Sequence, residues 1–113
     1  KISNNELVHI AINDKTEFSI NEYDIEEPNN GNSFIIENLD LIFIPLLAYD
    51  LEGHRVGYGM GYYDKFLKLT NKSSLKIGLS FFDPINKIQD IDDNDVKLDY
   101  CITPTQVHKF DHI

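Results

Sequence analysis

Cysteine is nearly missing from this chain of 113 residues, with Cys101 standing alone. An internal disulfide framework is therefore excluded, and a reducing compartment such as the cytoplasm suits the composition. Long apolar runs are missing too. The longest, LIFIPLLAY at residues 41–49, is far too short to span a bilayer and reads as a buried strand. The opening KISNN lacks both an initiator Met and an apolar stretch of the secretory kind, which points to a processed piece or a fragment. Basic residues are scarce: 10 Lys and Arg stand against 19 Asp and Glu, a net charge of −9. Such a surface repels nucleic acid and anionic membranes. A phosphate ligand would need local compensation, from backbone N–H groups or from a divalent cation held by carboxylates.

What is present suits one globular domain. The chain is 42% hydrophobic and long enough for a single core. Residues 6–14, ELVHIAIND, alternate enough for a strand, with KTEFSI following after a turn at Asn13 and Asp14. Residues 21–32 are polar and read as a loop. LDLIFIPLL at 39–47 is almost continuously apolar, as expected of a central strand covered on both faces. Pro45 should stop its ladder. DLEG at 50–53 is a tight turn. From Tyr62 the period becomes helical, with Tyr63, Phe66, Leu67 and Thr70 on one side. LKIGLSFF at 75–82 and DYCITP at 99–104 supply two more strands. The order strand, glycine loop, helix, strand implies an α/β fold with a largely parallel central sheet flanked by helices, a Rossmann-like three-layer fragment.

The densest chemistry lies in GHRVGYGMGYYDKFL at 53–67, with four glycines, three tyrosines and an Asp. Its G-x-G-x-G spacing is neither the dinucleotide fingerprint nor a Walker A loop. Two readings stay open: a plain connection, or a cradle of backbone N–H groups at a helix N-terminus that holds an anion. Asp64, in the first helical turn, either favours the helix dipole or ligates a Mg²⁺ ion beside a bound phosphate. A second cluster, QDIDDNDVKLD at 89–99, carries five Asp residues. It fails as a calcium loop, because Asp95 stands where Gly is needed and Cys101 where Glu is needed. A solvated acidic loop and a partner for Asp64 in holding a metal both remain. His54, His108 and His112 show no metal spacing and read as exposed. Cys101 reads as a small buried hydrophobe.

The stretch LDLIFIPLLAYDLEGHRVGYGMGYYDKFL at 39–67 resembles the 5-formyltetrahydrofolate cyclo-ligase family. Members carry a strand ending in Pro, a hydrophobic–Asp pair, and then G-x-R-L/V-G-x-G-x-G-Y/F-Y-D. IGLSFF, NDVKLDYCITP and YDIEEP are similar to further family segments, so the likeness spans residues 23–104. It implies ATP- and Mg²⁺-dependent conversion of 5-formyltetrahydrofolate to 5,10-methenyltetrahydrofolate, with release of ADP and phosphate. The cofactor implied is Mg²⁺, with ATP as co-substrate and small-molecule substrates, not nucleic acid or membrane, as partners. By position, the resemblance makes Arg55, Val56, Gly57, Tyr58, Gly59, Met60, Gly61, Tyr62 and Tyr63 the ATP-phosphate segment. Arg55 and Asp64 become the catalytic pair, and Asp64 and Asp95 the metal ligands. Tyr58, Met60 and Tyr62 fall on the folate side. For Arg55 the plain alternative is a salt bridge to an Asp; for Tyr62 and Tyr63 it is core packing. Asp99 and Thr103 match positions read as structural, and Glu27-Pro28 a loop read as a turn.

The chain departs from the family in places. Met60 stands where many members have Lys or Gly, Tyr58 where they have Arg or Tyr, Pro84 where they have Gln, and Asp24 where they have Gly. Without a Lys at 60, Arg55, the metal and main-chain N–H groups carry more of the charge. Members run to nearly twice this length, so residues 1–113 read as a single domain, the C-terminal portion of a cyclo-ligase fold whose N-terminal portion is absent. Alone, such a piece is expected to bind nucleotide weakly and to have little or no cyclo-ligase activity. A non-catalytic nucleotide or phosphate-binding domain is the alternative, and an acidic interaction module using residues 90–99 a weaker third.

Overall fold

The structure is a computed structural model that describes residues 1–3, 6–29, 31–32, 35–57, 61–91 and 95–110. In chain order the strands begin with β1 (Ile2–Ser3), β2 (Glu6–Leu7), β3 (Phe18–Ile20) and β4 (Glu26–Pro28). A 3₁₀ turn at Ile36–Asn38 leads to β5 (Leu41–Pro45), β6 (Ala48–Tyr49) and β7 (Arg55–Val56). The helix α1 (Tyr62–Leu69) follows, then β8 (Leu75–Leu79), β9 (Tyr100–Ile102) and β10 (Val107–Lys109).

The main sheet has the order β10-β9-β8-β5. β5 pairs parallel with β8, from Leu41 opposite Leu75 to Pro45 opposite Leu79. β8 pairs parallel with β9, and β10 closes antiparallel on β9. Pro45 is the last residue of its ladder, as its missing N–H requires. The segment β5–α1–β8 is thus the expected parallel crossover, and the sheet is mixed but mostly parallel.

α1 forms where apolar residues recur at helical spacing: Phe66 and Leu67 are buried, and Tyr63 packs against the core beside them. Asp64 in its first turn and Lys68 in its last both suit the helix dipole. Thr70 ends the helix in an extended conformation, its hydroxyl donating to the Leu67 carbonyl at 2.7 Å. The core lies on the helix side of the sheet, where Ile42, Ile44 and Cys101 meet Phe66, Leu67, Leu98 and Phe110.

The other face is different. Leu41, Phe43, Leu75 and Leu79 are 42%, 55%, 42% and 47% exposed, so among the described residues no layer covers them. This corrects two expectations. β5 is an edge strand with one covered face instead of a central strand with two, and a single α-helix flanks the sheet among the described residues. Three local expectations also change. Of residues 6–14 only Glu6–Leu7 forms a strand. Residues 21–32 are not all loop, because Glu26–Pro28 pairs antiparallel with Phe18–Ile20, which puts Glu27 and Pro28 in a strand, not a turn. His108 lies half-buried in β10, a strand the sequence did not announce.

Candidate functional site

The crossover places the site. A helix that leaves the carboxyl end of β5 and returns to the start of β8 has its N-terminus at that carboxyl end. Asp64 stands in its first turn, and Arg55 reaches it from β7. Nη2 of Arg55 donates to Oδ1 of Asp64 at 2.6 Å, and the Arg55 side chain is only 4% exposed. The same oxygen accepts the backbone N–H of Val96 at 3.1 Å. That bond holds the acidic segment against α1 and makes Asp95 the chain neighbour of a residue bound to Asp64. Gly61 precedes the helix with φ of 70°, in the left-handed region that favours glycine. Tyr62 and Tyr63 begin α1, half-buried, while Val56 and Gly57 lead out of β7. Tyr58, Gly59 and Met60 lie outside the described residues.

The pairing foreseen as the plain alternative for Arg55 is therefore present, and its partner is the other residue assigned to catalysis. Among the described residues no three His, Cys, Asp or Glu side chains gather as a metal cage. A Mg²⁺ ion asks for less than such a cage, one or two carboxylates with water and substrate phosphates completing its shell.

One participant escaped the sequence reading. Asp50 is fully buried. Its Oδ1 accepts the N–H groups of Glu52 at 2.9 Å and His54 at 3.0 Å. Its Oδ2 accepts the N–H of Ile88 at 3.1 Å and faces His54 Nδ1 at 3.2 Å. Burial pushes the carboxyl upward, but the donors from Ile88, Glu52 and His54 together hold it below the usual carboxylate range. This carboxylate ties the β6–β7 hairpin, and so Arg55, to the segment after β8. The signal was present, an Asp directly after an apolar run and three residues before Gly53, but nothing local announces its burial. His54, read as exposed, is largely covered by the same contact.

At the carboxyl ends of β5 and β8, on the sheet face that α1 leaves uncovered, an open depression of about 390 Å³ is lined by Phe43, Pro45, Leu46, Leu79, Phe81 and Phe82, among others. Openings at the carboxyl ends of parallel strands are where α/β proteins commonly take ligands. Fold and site together define the class: an α/β protein with an apolar cleft and a charged pair at the carboxyl ends of its parallel strands. More particularly, the chain belongs to the 5-formyltetrahydrofolate cyclo-ligase family, whose sequence pattern it matches over residues 1–104.

Individual relatives agree. A 5-formyltetrahydrofolate cyclo-ligase of Mycoplasma genitalium is 48% identical over 52 residues, covering 46% of this chain and 32% of that protein. A probable 5-formyltetrahydrofolate cyclo-ligase of Schizosaccharomyces pombe is 32% identical over 109 residues, 83% of this chain and 53% of that one. The NMR structure of 5,10-methenyltetrahydrofolate synthetase from Aquifex aeolicus superposes with a TM-score of 0.78 at 30% identity, covering 96% of this chain and 55% of that chain. The chain thus spans roughly a third to just over half the length of these relatives.

Proposed function

We propose that this chain supplies the nucleotide-handling part of an enzyme that converts 5-formyltetrahydrofolate to 5,10-methenyltetrahydrofolate, with ATP hydrolysed to ADP and phosphate. The observation that carries this reading is the Arg55–Asp64 pair across the family's glycine loop, within a chain that matches the family over residues 1–104. In such a reaction the formyl oxygen attacks the γ-phosphorus as the bond to the ADP oxygen breaks. N10 then adds to the activated carbon and gives up its proton to solvent, and phosphate departs with that oxygen to leave the methenyl bridge. Positioning and charge neutralisation matter more here than a covalent enzyme nucleophile.

In this reading Arg55 holds the transferred phosphoryl group, and the backbone from Val56 to Tyr63 lines the phosphates. Asp64 and Asp95 would hold Mg²⁺, which supplies neutralisation of phosphate charge. Tyr62, with Tyr58 and Met60, borders the folate. A three-layer Rossmann-like arrangement follows if a further layer covers the exposed sheet face. Among the described residues no helix is long and apolar enough to cross a membrane. A reducing compartment, the cytoplasm, suits the lone buried Cys101, although the Arabidopsis thaliana relative is named as mitochondrial.

Because the chain spans only part of its relatives, nucleotide binding without turnover is the second reading. Methenyltetrahydrofolate formation, followed by its absorbance with ATP, Mg²⁺ and 5-formyltetrahydrofolate, separates the two. The assay is run on this chain and on a version extended to its relatives' full length. Product from the extended form supports the ligase reading. ATP binding by calorimetry with no product from either form favours the second, and no ATP binding at all refutes both.

A further inference from the structure

Four of the chain's ten basic residues stand around one opening, although 19 acidic residues outnumber them across the chain. Lys68, Lys72, Lys76 and Lys97 line an open cleft of about 470 Å³, and among the described residues Asp99 is its one carboxylate. The cleft lies where α1 ends and where β8 and β9 begin, at the end of the sheet away from the Arg55–Asp64 pair. The helix dipole accounts for Lys68 in the last turn of α1, but not for a lysine buried in a strand. Lys76 is that lysine. It pairs in register with Ile42, so its side chain shares the helix-covered face, and the residue is only 7% exposed. Its Nζ donates to the Ser74 carbonyl at 3.1 Å. Asp99 accepts the backbone N–H of Lys76 at Oδ2, at 2.9 Å, and among the described residues the Lys76 ammonium makes no ion pair. An ammonium has three N–H donors to place, and a buried charge without a counter-charge is unfavourable.

We infer that this cleft is a second anion site, which takes a compact phosphate-bearing ligand of the diphosphate kind. The lysines choose the chemistry. Their ammonium groups are point charges that suit a tetrahedral phosphate, whereas a planar carboxylate is better matched by the fork of a guanidinium, and no Arg lines the cleft. The rest of the surface chooses the size. A long polyanion such as nucleic acid would run out of the cleft onto a chain of net charge −9, while a diphosphate is held within the opening and meets the lysines. Bound there, it gives Lys76 the missing counter-charge and draws Lys72 and Lys97 in from their exposed positions. The site is independent of the nucleotide reading, since neither Arg55 nor Asp64 lines it. Val96 alone is shared: it lines the cleft while its N–H meets Asp64.

Inorganic pyrophosphate, titrated by calorimetry in metal-free buffer at fixed ionic strength, tests the site. Lys72→Gln and Lys97→Gln should each weaken binding about three- to fivefold, the scale of one exposed ion pair. Lys76→Met should weaken it more than about tenfold, the scale of a hydrogen bond to a charged group. Lys65→Gln removes the same charge from an exposed position of α1 outside the cleft and should change binding by less than about twofold. Arg55→Gln should do the same. If Lys76→Met does not fold, the double variant of Lys72 and Lys97 carries the test, with an expected loss of about tenfold or more. No pyrophosphate binding by the parent chain overturns the site. So does equal weakening by Lys65→Gln, which is attraction by net charge alone. Loss in Arg55→Gln with the cleft variants unchanged overturns it too, because the anion then sits at the Arg55–Asp64 pair. Citrate binding as tightly as pyrophosphate overturns the phosphate chemistry. Tighter binding of methyl diphosphate than of pyrophosphate supports an organic diphosphate as the ligand, and weaker binding supports the free anion.

Discussion

Replacing Asp50 by Asn would test whether one carboxylate organises the region around Arg55. The substitution keeps shape and removes charge. The remaining amide oxygen can still accept from Glu52 and His54, as Oδ1 does now at 2.9 and 3.0 Å. The amide NH₂ then faces the N–H of Ile88, a buried residue whose present bond to Oδ2 is 3.1 Å, so donor meets donor. One charge-assisted bond is lost with a donor left unpaired, and two others weaken to neutral strength, which amounts to about 2–4 kcal/mol. Asp50→Ala strips every partner and should lose about 4–5 kcal/mol, close to the whole stability of a marginal domain. Urea unfolding followed by circular dichroism reads both values. The carboxyl is held below its ordinary value in the fold. Its contribution is therefore complete above the unfolded pKa of about 3.9 and is lost as pH falls through the lower folded value. The gap between parent and Asn variant should narrow across that acidic window. An Asn variant within about 0.5 kcal/mol of the parent at pH 7, the range of an ordinary surface change, would refute the reasoning.

Three further outcomes follow from the packing. Asp24 has φ of 60°, in the left-handed region that favours Gly; Asp24→Gly should raise stability by about 0.5–1 kcal/mol, and a lowered melting temperature would count against it. Tyr49 donates its hydroxyl to the Phe82 carbonyl at 2.9 Å, so Tyr49→Phe should lose about 0.5–1.5 kcal/mol in urea unfolding, with no change meaning that the bond contributes nothing. Cys101 is fully buried, and burial raises its thiol despite an opposing influence of the neighbouring Tyr49 hydroxyl. A thiol reagent should label it only at the rate of unfolding, whereas rapid labelling of folded protein would contradict that burial.

The parallel crossover was legible because its parts are local. A continuous apolar run, glycines, a helical period and a second apolar run each announce themselves within a few residues. What covers β5 was not legible. A strand with two apolar faces tells nothing of which face has a neighbour, and Phe43 looks the same in sequence whether buried or open. Asp50 was missed for a related reason, since its donors come from residues 52, 54 and 88 and only the fold assembles them. For Arg55 the sequence supplied the right alternative without its partner: many Asp residues were in range, and β7 with the first turn of α1 selects Asp64. β10 was hidden because Val107, His108 and Lys109 are too few and too polar to show a period.

The uncovered sheet face has a colloidal consequence. Leu41, Phe43, Leu79 and the neighbouring Phe81 and Phe82, which are 86% and 73% exposed, present one another with an adhesive surface, while the charge of −9 keeps separate copies apart. The two forces have different ranges. Salt shortens electrostatic reach from about 10 Å at 0.1 M to about 3 Å at 1 M and leaves the apolar attraction in place. A solution of this chain should therefore scatter more light as sodium chloride rises, the reverse of a protein held together by ion pairs, and replacing Phe43 and Leu79 by Lys should abolish the rise.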